Sequence, residues 1–150
     1  MTYLLRFFLL ALWVWGPGVV RADDVSEKEI GFIKTLEGPA TIERDKKKMP
    51  ASSGQHIRVN DIIRTGKSAT MGIVLKDNTI LSVGPKSELA IDEYVYAPKD
   101  QKLSMLTRMV RGTLEYISGT IGKLAPQSTR FETPMAILGI RGTRFLVKID

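Results

Sequence analysis

The most constraining feature of the sequence lies in residues 54–85, where two short apolar runs follow each other closely. Residues 71–76 and 79–83 are rich in aliphatic and β-branched side chains, and only Asp77 and Asn78 separate them. Because Asp and Asn both tolerate a positive φ, a two-residue connection of this kind is a strong signal for a β-hairpin. The segment therefore predicts β structure at the centre of the chain, and the other strands are expected to pair around it.

The predicted turn also sets a register for this hairpin. With two residues in the turn, Lys76 lies opposite Thr79 and Leu75 lies opposite Ile80. Side chains on both faces of the hairpin are then largely apolar, which favours strands that are covered on both sides.

The amino terminus has the features of a secretory signal peptide over residues 1–22. Arg6 supplies a positive end, the apolar stretch after it is shorter than a bilayer span, and the pattern favours cleavage between Ala22 and Asp23. An uncleaved membrane anchor is the alternative. Residues 23–29 are acidic and poor in apolar side chains, so we expect a disordered lead-in and, after processing, no stable membrane span.

Residues 30–150 form a single predicted domain that must fold by burial alone, because the 150-residue chain has no Cys. The same absence excludes thiolate catalysis and cysteine metal sites. Hairpin signals recur and no long segment has the 3.6-residue period of a helix, so the predicted class is all-β. We expect two packed antiparallel sheets, or a short β-roll or β-sandwich.

The other candidate strands share one pattern, a short apolar run between turn residues. They cover residues 30–36, 40–44, 89–96 with a bulge at Asp92 and Glu93, 103–117 and 145–149. The first part of the segment 103–117 also admits a short helix, but its continuation favours a strand.

The chemistry-bearing residues do not form a catalytic, cofactor or metal pattern. His56 is the single histidine and has no acidic neighbour in sequence to orient its ring. Carboxylates are dispersed, and the glycines fall at strand ends rather than in a phosphate-binding loop. The formal net charge of +6 includes a cluster at residues 46–48, which predicts a solvated turn rather than a nucleic-acid platform. We therefore expect no enzymatic activity, no cofactor and no nucleic-acid partner.

One unit of sequence occurs twice, thirty residues apart. Arg-Gly-Thr preceded by an aliphatic residue is found at residues 110–113 and again at 140–143. Gly at such a position allows a bulge or a close backbone approach, so we expect two strands that enter one sheet through similar bends.

The order and spacing of these short motifs resemble the FecR domain family over residues 31–149. The residues that carry the resemblance are mostly turn formers, Thr and Arg: Gly54, Asp61, Thr65, Gly66, Asp77, Asn78, Arg111, Gly112, Thr133, Pro134, Arg141, Gly142 and Thr143. The resemblance implies a periplasmic or secreted, non-enzymatic interaction or sensor module that binds a partner protein of the cell envelope. A cell-wall or carbohydrate-binding module and an accessory subunit of an envelope complex are the alternatives. No internal membrane-spanning helix and no helical segment for a sigma factor is expected, and self-association stays open.

Two of these motif residues carry a specific expectation. Arg141 is expected to be a structural clamp with Asp61 as its acidic partner, and a recognition role is the alternative. Thr133 and Pro134 are expected at the start or the edge of a strand, because Pro cannot donate a ladder hydrogen bond.

Overall fold

A computed structural model describes residues 29–150, so the predicted signal peptide and nearly all of the predicted lead-in lie outside the described residues. The described chain is built from twelve strands and one short helix. They are β1 (Glu29–Glu37), β2 (Ala40–Arg44), β3 (Lys47–Pro50), β4 (His56–Arg58), β5 (Ile62–Thr65), β6 (Thr70–Leu75), β7 (Ile80–Val83), β8 (Glu88–Ala97), β9 (Lys102–Ile117), α1 (Thr120–Leu124), β10 (Thr129–Glu132), β11 (Ile137–Gly139) and β12 (Arg144–Ile149). The predicted all-β class is confirmed.

The strands form one curled sheet whose order is β3-β2-β5-β8-β9-β7-β6-β1-β4. The long strand β9 holds the sheet together, because it pairs with β8 along its first part and with β7 along its last part. On its other side, β9 pairs in parallel with β10 and in antiparallel with β12, and β11 continues outward from β10.

The sheet bends where its strands pass between two halves. β1 continues into β2 across residues 38–39, β5 into β6 across residues 66–69 and β7 into β8 across residues 84–87, while β9 crosses within one strand at Gly112. We call these four crossings the corner line. Strands commonly change sheet direction through such bends and bulges.

Hydrogen bonds connect neighbouring crossings along the corner line. The amide of Gly66 donates to the carbonyl of Pro39 at 2.8 Å, and the amide of Lys86 donates to the carbonyl of Gly66 at 3.0 Å. The amide of Gly84 donates to the carbonyl of Thr113 at 2.8 Å. The backbone groups that leave the ladders at the bends are therefore paired, as buried amides and carbonyls must be.

The curled sheet encloses one hydrophobic core. Along β6, the buried residues Met71, Ile73 and Leu75 alternate with partly buried ones, as expected for a strand with one face on the core. Side chains from both halves join the same cluster, with Tyr116 and Phe131 as the largest fully buried side chains. Burial raises the pKa of Tyr116 to about 12.

The architecture corrects two expectations about the sheet. It is a half-barrel rather than two separate packed sheets, because β9 belongs to both halves and the corner line keeps them continuous. The central hairpin is covered on one face only: its second face, which carries Val74 and Ile80, is partly exposed.

The register of the central hairpin differs by one residue from the predicted register. Ile80 lies opposite Val74 rather than Leu75, and Ile73 lies opposite Leu81. The turn is longer than two residues because Asn78 donates to the carbonyl of Leu75 and takes up a φ of 65°.

The remaining strand expectations are largely confirmed. β8 carries a register shift between Ile91 and Glu93, as the predicted bulge requires, and residues 103–117 lie in the single strand β9. The cluster at residues 46–48 was expected in a turn, but only Lys46 lies there, with a positive φ, whereas Lys47 and Lys48 belong to β3. The short strand β3 and the five-residue helix α1 were not expected.

Candidate functional site

Four of the motif residues lie at or beside the corner line: Thr65, Gly66, Arg111 and Gly112. The hydroxyl of Thr65 donates to the carbonyl of Gly84 at 2.7 Å and accepts the amide of Ser87 at 2.9 Å. The hydroxyl of Ser87 in turn accepts the amide of Thr113 at 3.0 Å. Thr65 and Ser87 are both buried, so this pair connects β5, β8 and β9 within the protein interior.

Gly112 completes this arrangement by having no side chain. Its φ is 100°, which favours glycine, and an added Cβ would lie 2.5 Å from the Cβ of Ser87. No real Cβ tolerates such a contact, so β9 can cross the corner line only with Gly here. Arg111 beside it is exposed, and its guanidinium lies 3.5 Å from the carboxylate of Glu88.

Asp77 and Asn78 form the turn of the central hairpin and serve as an anchor for distant segments. The carboxylate of Asp77 is fully buried and accepts hydrogen bonds from the amide and hydroxyl of Thr79, from the hydroxyl of Tyr94 and from the amide of Ile121. The Asp77 carbonyl accepts the amide of Thr120 at 2.8 Å. Burial, and then the charge of Asp77, raises the pKa of Tyr94 well above its usual range. This motif therefore attaches α1 and β8 to the hairpin.

Asp61 is buried, but its partner is Arg44 and not Arg141. The carboxylate of Asp61 is 1% exposed and accepts two hydrogen bonds from Arg44, at 2.9 Å to Nε and 2.7 Å to Nη2. It also accepts the amide of Arg58 at 2.8 Å. The hydrogen bond from Arg44 to Asp61 raises the pKa of the Arg44 guanidinium. The expected clamp between Asp61 and Arg141 is wrong.

The second Arg-Gly-Thr unit lies on the surface. Arg141, Gly142 and Thr143 are all exposed, and an added Cβ at Gly142 would meet nothing within 4 Å. Its backbone is nevertheless fixed, because the hydroxyl of Ser118 donates to the carbonyl of Gly142 and the amide of Ser118 donates to that of Thr143. Gly142 has a φ of 127°, so both units bend at a glycine, as predicted.

Thr133 and Pro134 lie in the turn between β10 and β11, close to the expected strand start. The hydroxyl of Thr133 accepts the amide of Ala136 at 3.1 Å, and the amide of Thr133 donates to the carbonyl of Ala136 at 2.8 Å. Gly54 is also a turn residue, with a φ of 84° and an amide that donates to the carbonyl of Ile33.

An exposed apolar surface follows this turn. Met135 is 96% exposed, Ile137 is 66% exposed and Leu138 is 46% exposed, and every residue of β11 is exposed. We call Met135, Ile137, Leu138 and Arg141 the carboxyl-terminal edge. The sequence pattern predicted only that these aliphatic residues form a strand, because exposure depends on which strands pair with β11.

The described residues offer no metal centre and no membrane helix. Within residues 29–150, no group of three or more His, Asp or Glu side chains could hold a metal ion. No helix in that part of the chain is long and apolar enough to cross a membrane. His56 is exposed and lies 3.3 Å from Glu29, a partner that is distant in sequence.

Comparison with known proteins gives a match to a family model. The sequence model of a family described as FecR protein matches residues 61–150, more than half of the chain. No curated protein matches the sequence, and no solved structure matches it. The matched segment contains the crossings at residues 66–69, at residues 84–87 and at Gly112, and both Arg-Gly-Thr units.

Proposed function

The chain belongs to the FecR protein family, a regulatory and signalling family of the cell envelope, and on that premise we propose that it binds a partner protein through the carboxyl-terminal edge. In this proposal the protein is exported, acts without catalysis and passes on a signal by contact.

The exposed side chains of the edge are the observation that carries the proposal. Isolated apolar residues are common on protein surfaces, but Met135, Ile137 and Leu138 lie within four consecutive positions around one turn and strand. Met is adaptable and is favoured at binding surfaces. These side chains contribute little to the core, so their exposure is better explained by a partner than by folding.

The backbone of β11 supports the same proposal. Among the described strands, β11 pairs only with β10, so its other side presents unpaired amides and carbonyls. Open edge strands are usually blunted by charge or by Pro, because they accept a strand from another chain. β11 has neither, although Pro134 lies in the turn before it. An extended segment of a partner protein can therefore add to this edge.

Arg141 supplies the polar component of the proposed contact. It makes no ion pair with any residue that the structure describes, while its backbone position is fixed through Ser118 and the carbonyls of its neighbours. Arg is enriched at protein interfaces and often dominates their energetics. An exposed Arg on a fixed backbone, next to an apolar edge, suits recognition of an acidic or carbonyl-rich partner segment.

Export is proposed from the sequence of residues 1–22 and from the periplasmic location of the family's domains. Cleavage after Ala22 leaves a mature chain that begins at Asp23 and lacks Trp13 and Trp15. Intact mass and fluorescence of protein isolated from the envelope test this step. We expect the mass of residues 23–150 and emission from tyrosine alone, whereas tryptophan emission would show that the leader is retained.

Partner binding is tested by site-specific photo-crosslinking in intact cells. A benzophenone amino acid at Ile137 is expected to give one predominant adduct with another envelope protein. The same group at Lys99, which is exposed in the turn between β8 and β9, serves as the matched control and should give none. Equal adducts from both positions, or none from Ile137, would contradict the proposed edge.

A further inference from the structure

A second surface feature lies at the end of the half-barrel opposite the corner line. It is a polar cleft of about 690 Å³ between the first residues of β1, the end of β2, the turn after β4 and the last part of β8. Its walls carry three cations, three acids and two tyrosines among other residues: Glu29, Arg44, Asp45, Arg58, Asp61, Lys76, Tyr94 and Tyr96, with Asn60 at the rim. This volume is typical of sites for small molecules.

The charged groups in the cleft are not equally engaged. Asp61 is saturated by Arg44 and by the Arg58 amide, and Glu29 lies 3.3 Å from His56. The Arg58 side chain differs from these, because its Nε atom is buried and has no hydrogen-bond partner among the described residues. The Arg58 side chain lines the cleft and forms no ion pair with any described residue, so its guanidinium is available to the acidic group of a ligand.

The backbone around Arg58 is rigid enough to hold such a ligand. The carboxylate of Asp61 accepts the Arg58 amide, and Arg58 itself belongs to β4, where it pairs with Glu29 of β1. Asn60 has a φ of 68°, a left-handed turn conformation that Asn adopts readily. The turn of residues 58–61 therefore presents one guanidinium and one amide side chain from a fixed backbone.

The other walls specify more than a simple anion. Asp45 lines the cleft with an exposed carboxylate, which accepts hydrogen bonds from hydroxyl or amino groups. Tyr96 is half-buried and supplies an aromatic wall, while the hydroxyl of neighbouring Tyr94 is already bound to Asp77. A ring with one acidic group, several hydroxyls and an apolar face matches this combination.

We propose that this cleft binds a small acidic sugar, whose acidic group pairs with Arg58, whose hydroxyls contact Asp45 and Asn60, and whose ring packs on Tyr96. The acidic group has the chemistry that Arg recognises, a planar carboxylate or a phosphate. The cleft is formed by β1, β2, β4 and β8, whereas the carboxyl-terminal edge belongs to β10, β11 and the residues after it. The protein would then carry a ligand site distinct from its partner site.

The test uses the exported protein, purified from the envelope and titrated with glucuronate, glucose 6-phosphate and glucose by calorimetry and by NMR. Glucuronate or glucose 6-phosphate is expected to bind at least about tenfold more tightly than glucose, because glucose lacks the group that pairs with Arg58. Amide shifts should centre on residues 58–61. Tighter binding of glucuronate identifies a carboxylate as the natural acidic group, and tighter binding of glucose 6-phosphate identifies a phosphate.

Variants separate the cleft from general charge effects. Arg58→Gln should weaken binding of the acidic sugar at least about tenfold, and Arg58→Lys should weaken it less, because the charge remains while the planar fork is lost. Arg130→Gln is the matched control, since Arg130 is exposed and meets only Glu93 at 3.5 Å; it should bind like the unchanged protein. If Arg58→Gln does not fold, the affinity of Arg58→Lys for the acidic sugar is the deciding measurement, and it should be lower than that of the unchanged protein.

Three results would overturn the proposal. They are equal binding of all three sugars, no binding of either acidic sugar at millimolar concentration, and unchanged affinity in the folded Arg58 variants. Cross-linking from Ile137 is unaffected by any of them, so failure here is distinguishable from failure of the proposed partner site.

Discussion

The two Arg-Gly-Thr units have the same sequence but very different surroundings. At residues 111–113 the unit crosses the corner line with a neighbouring strand on each side, and Ser87 occupies the space that a side chain on Gly112 would need. At residues 141–143 the unit lies outside the sheet, and the space around Gly142 is open. Both glycines have positive φ, so the bend is common to the two units and the packing is not.

The two units therefore share a backbone bend, while their side chains have different roles. At the first unit, Ser87 lies against Gly112, and its hydrogen bonds connect Thr65, Gly84 and Thr113. In the second unit, Ser118 fixes the backbone and leaves the guanidinium of Arg141 in solvent. The first unit is therefore part of the scaffold, and the second is available for recognition.

The largest expected difference between the units is at their glycines. Gly112→Ala should lower the free energy of unfolding by about 3 to 5 kcal/mol, because it adds a clash with Ser87 to the strain of a positive φ. Gly142→Ala should cost about 1 to 2 kcal/mol, from backbone strain alone. Urea denaturation midpoints measure both.

Gly139→Ala is the control for this pair. Gly139 has open space around it, as Gly142 does, but it has no positive φ. The free energy of unfolding of Gly139→Ala should stay within about 0.5 kcal/mol of that of the unchanged protein. If Gly142→Ala costs as much as Gly112→Ala, the second unit is structural after all.

The next largest effect is expected at the buried carboxylate of Asp61. Arg44→Ala should cost about 3 to 5 kcal/mol, because it leaves Asp61 charged and buried, whereas Arg141→Ala should leave stability within about 0.5 kcal/mol. A double-mutant cycle separates the two possible partners. Asp61 and Arg44 should couple by more than about 1 kcal/mol, while Asp61 and Arg141 should be additive.

Sequence reasoning identified Asp61 as a paired acid but chose the wrong arginine. The pairing joins residues that are 17 apart, and several arginines are equally compatible with the sequence pattern. Only the topology, which places the end of β2 beside the turn after β4, selects Arg44. Local sequence patterns predict a strand and the face that it buries, but they do not predict which long side chain reaches across the sheet.

The central hairpin shows the same limit at the level of register. Its two strands and its turn residues were predictable, because apolar runs and turn formers are local signals. The one-residue shift was not, because the carboxylate of Asp77 is drawn inward by Tyr94 and by the amide of Ile121, which is 44 residues away. The exposure of Ile137 and Leu138 could not be predicted either, since it depends on the position of β11 at the end of the sheet.

A smaller effect is expected at the arginines of the two units. Arg111→Ala should cost between about 0 and 1 kcal/mol, because its contact with Glu88 is exposed. The measurement is again a denaturation midpoint, with Arg141→Ala beside it. A loss above about 2 kcal/mol for Arg111→Ala would mean that the first unit stabilises the corner line through its side chain as well as through Gly112.

The separation of scaffold from recognition is tested most directly by combining both arginine variants with the cross-linking group at Ile137. Arg141→Ala is predicted to keep the unfolding midpoint of the unchanged protein and to lose most of the adduct, while Arg111→Ala is predicted to keep the adduct. An adduct that survives Arg141→Ala in full, or that disappears equally in both variants, would contradict the assignment of the second unit to partner recognition.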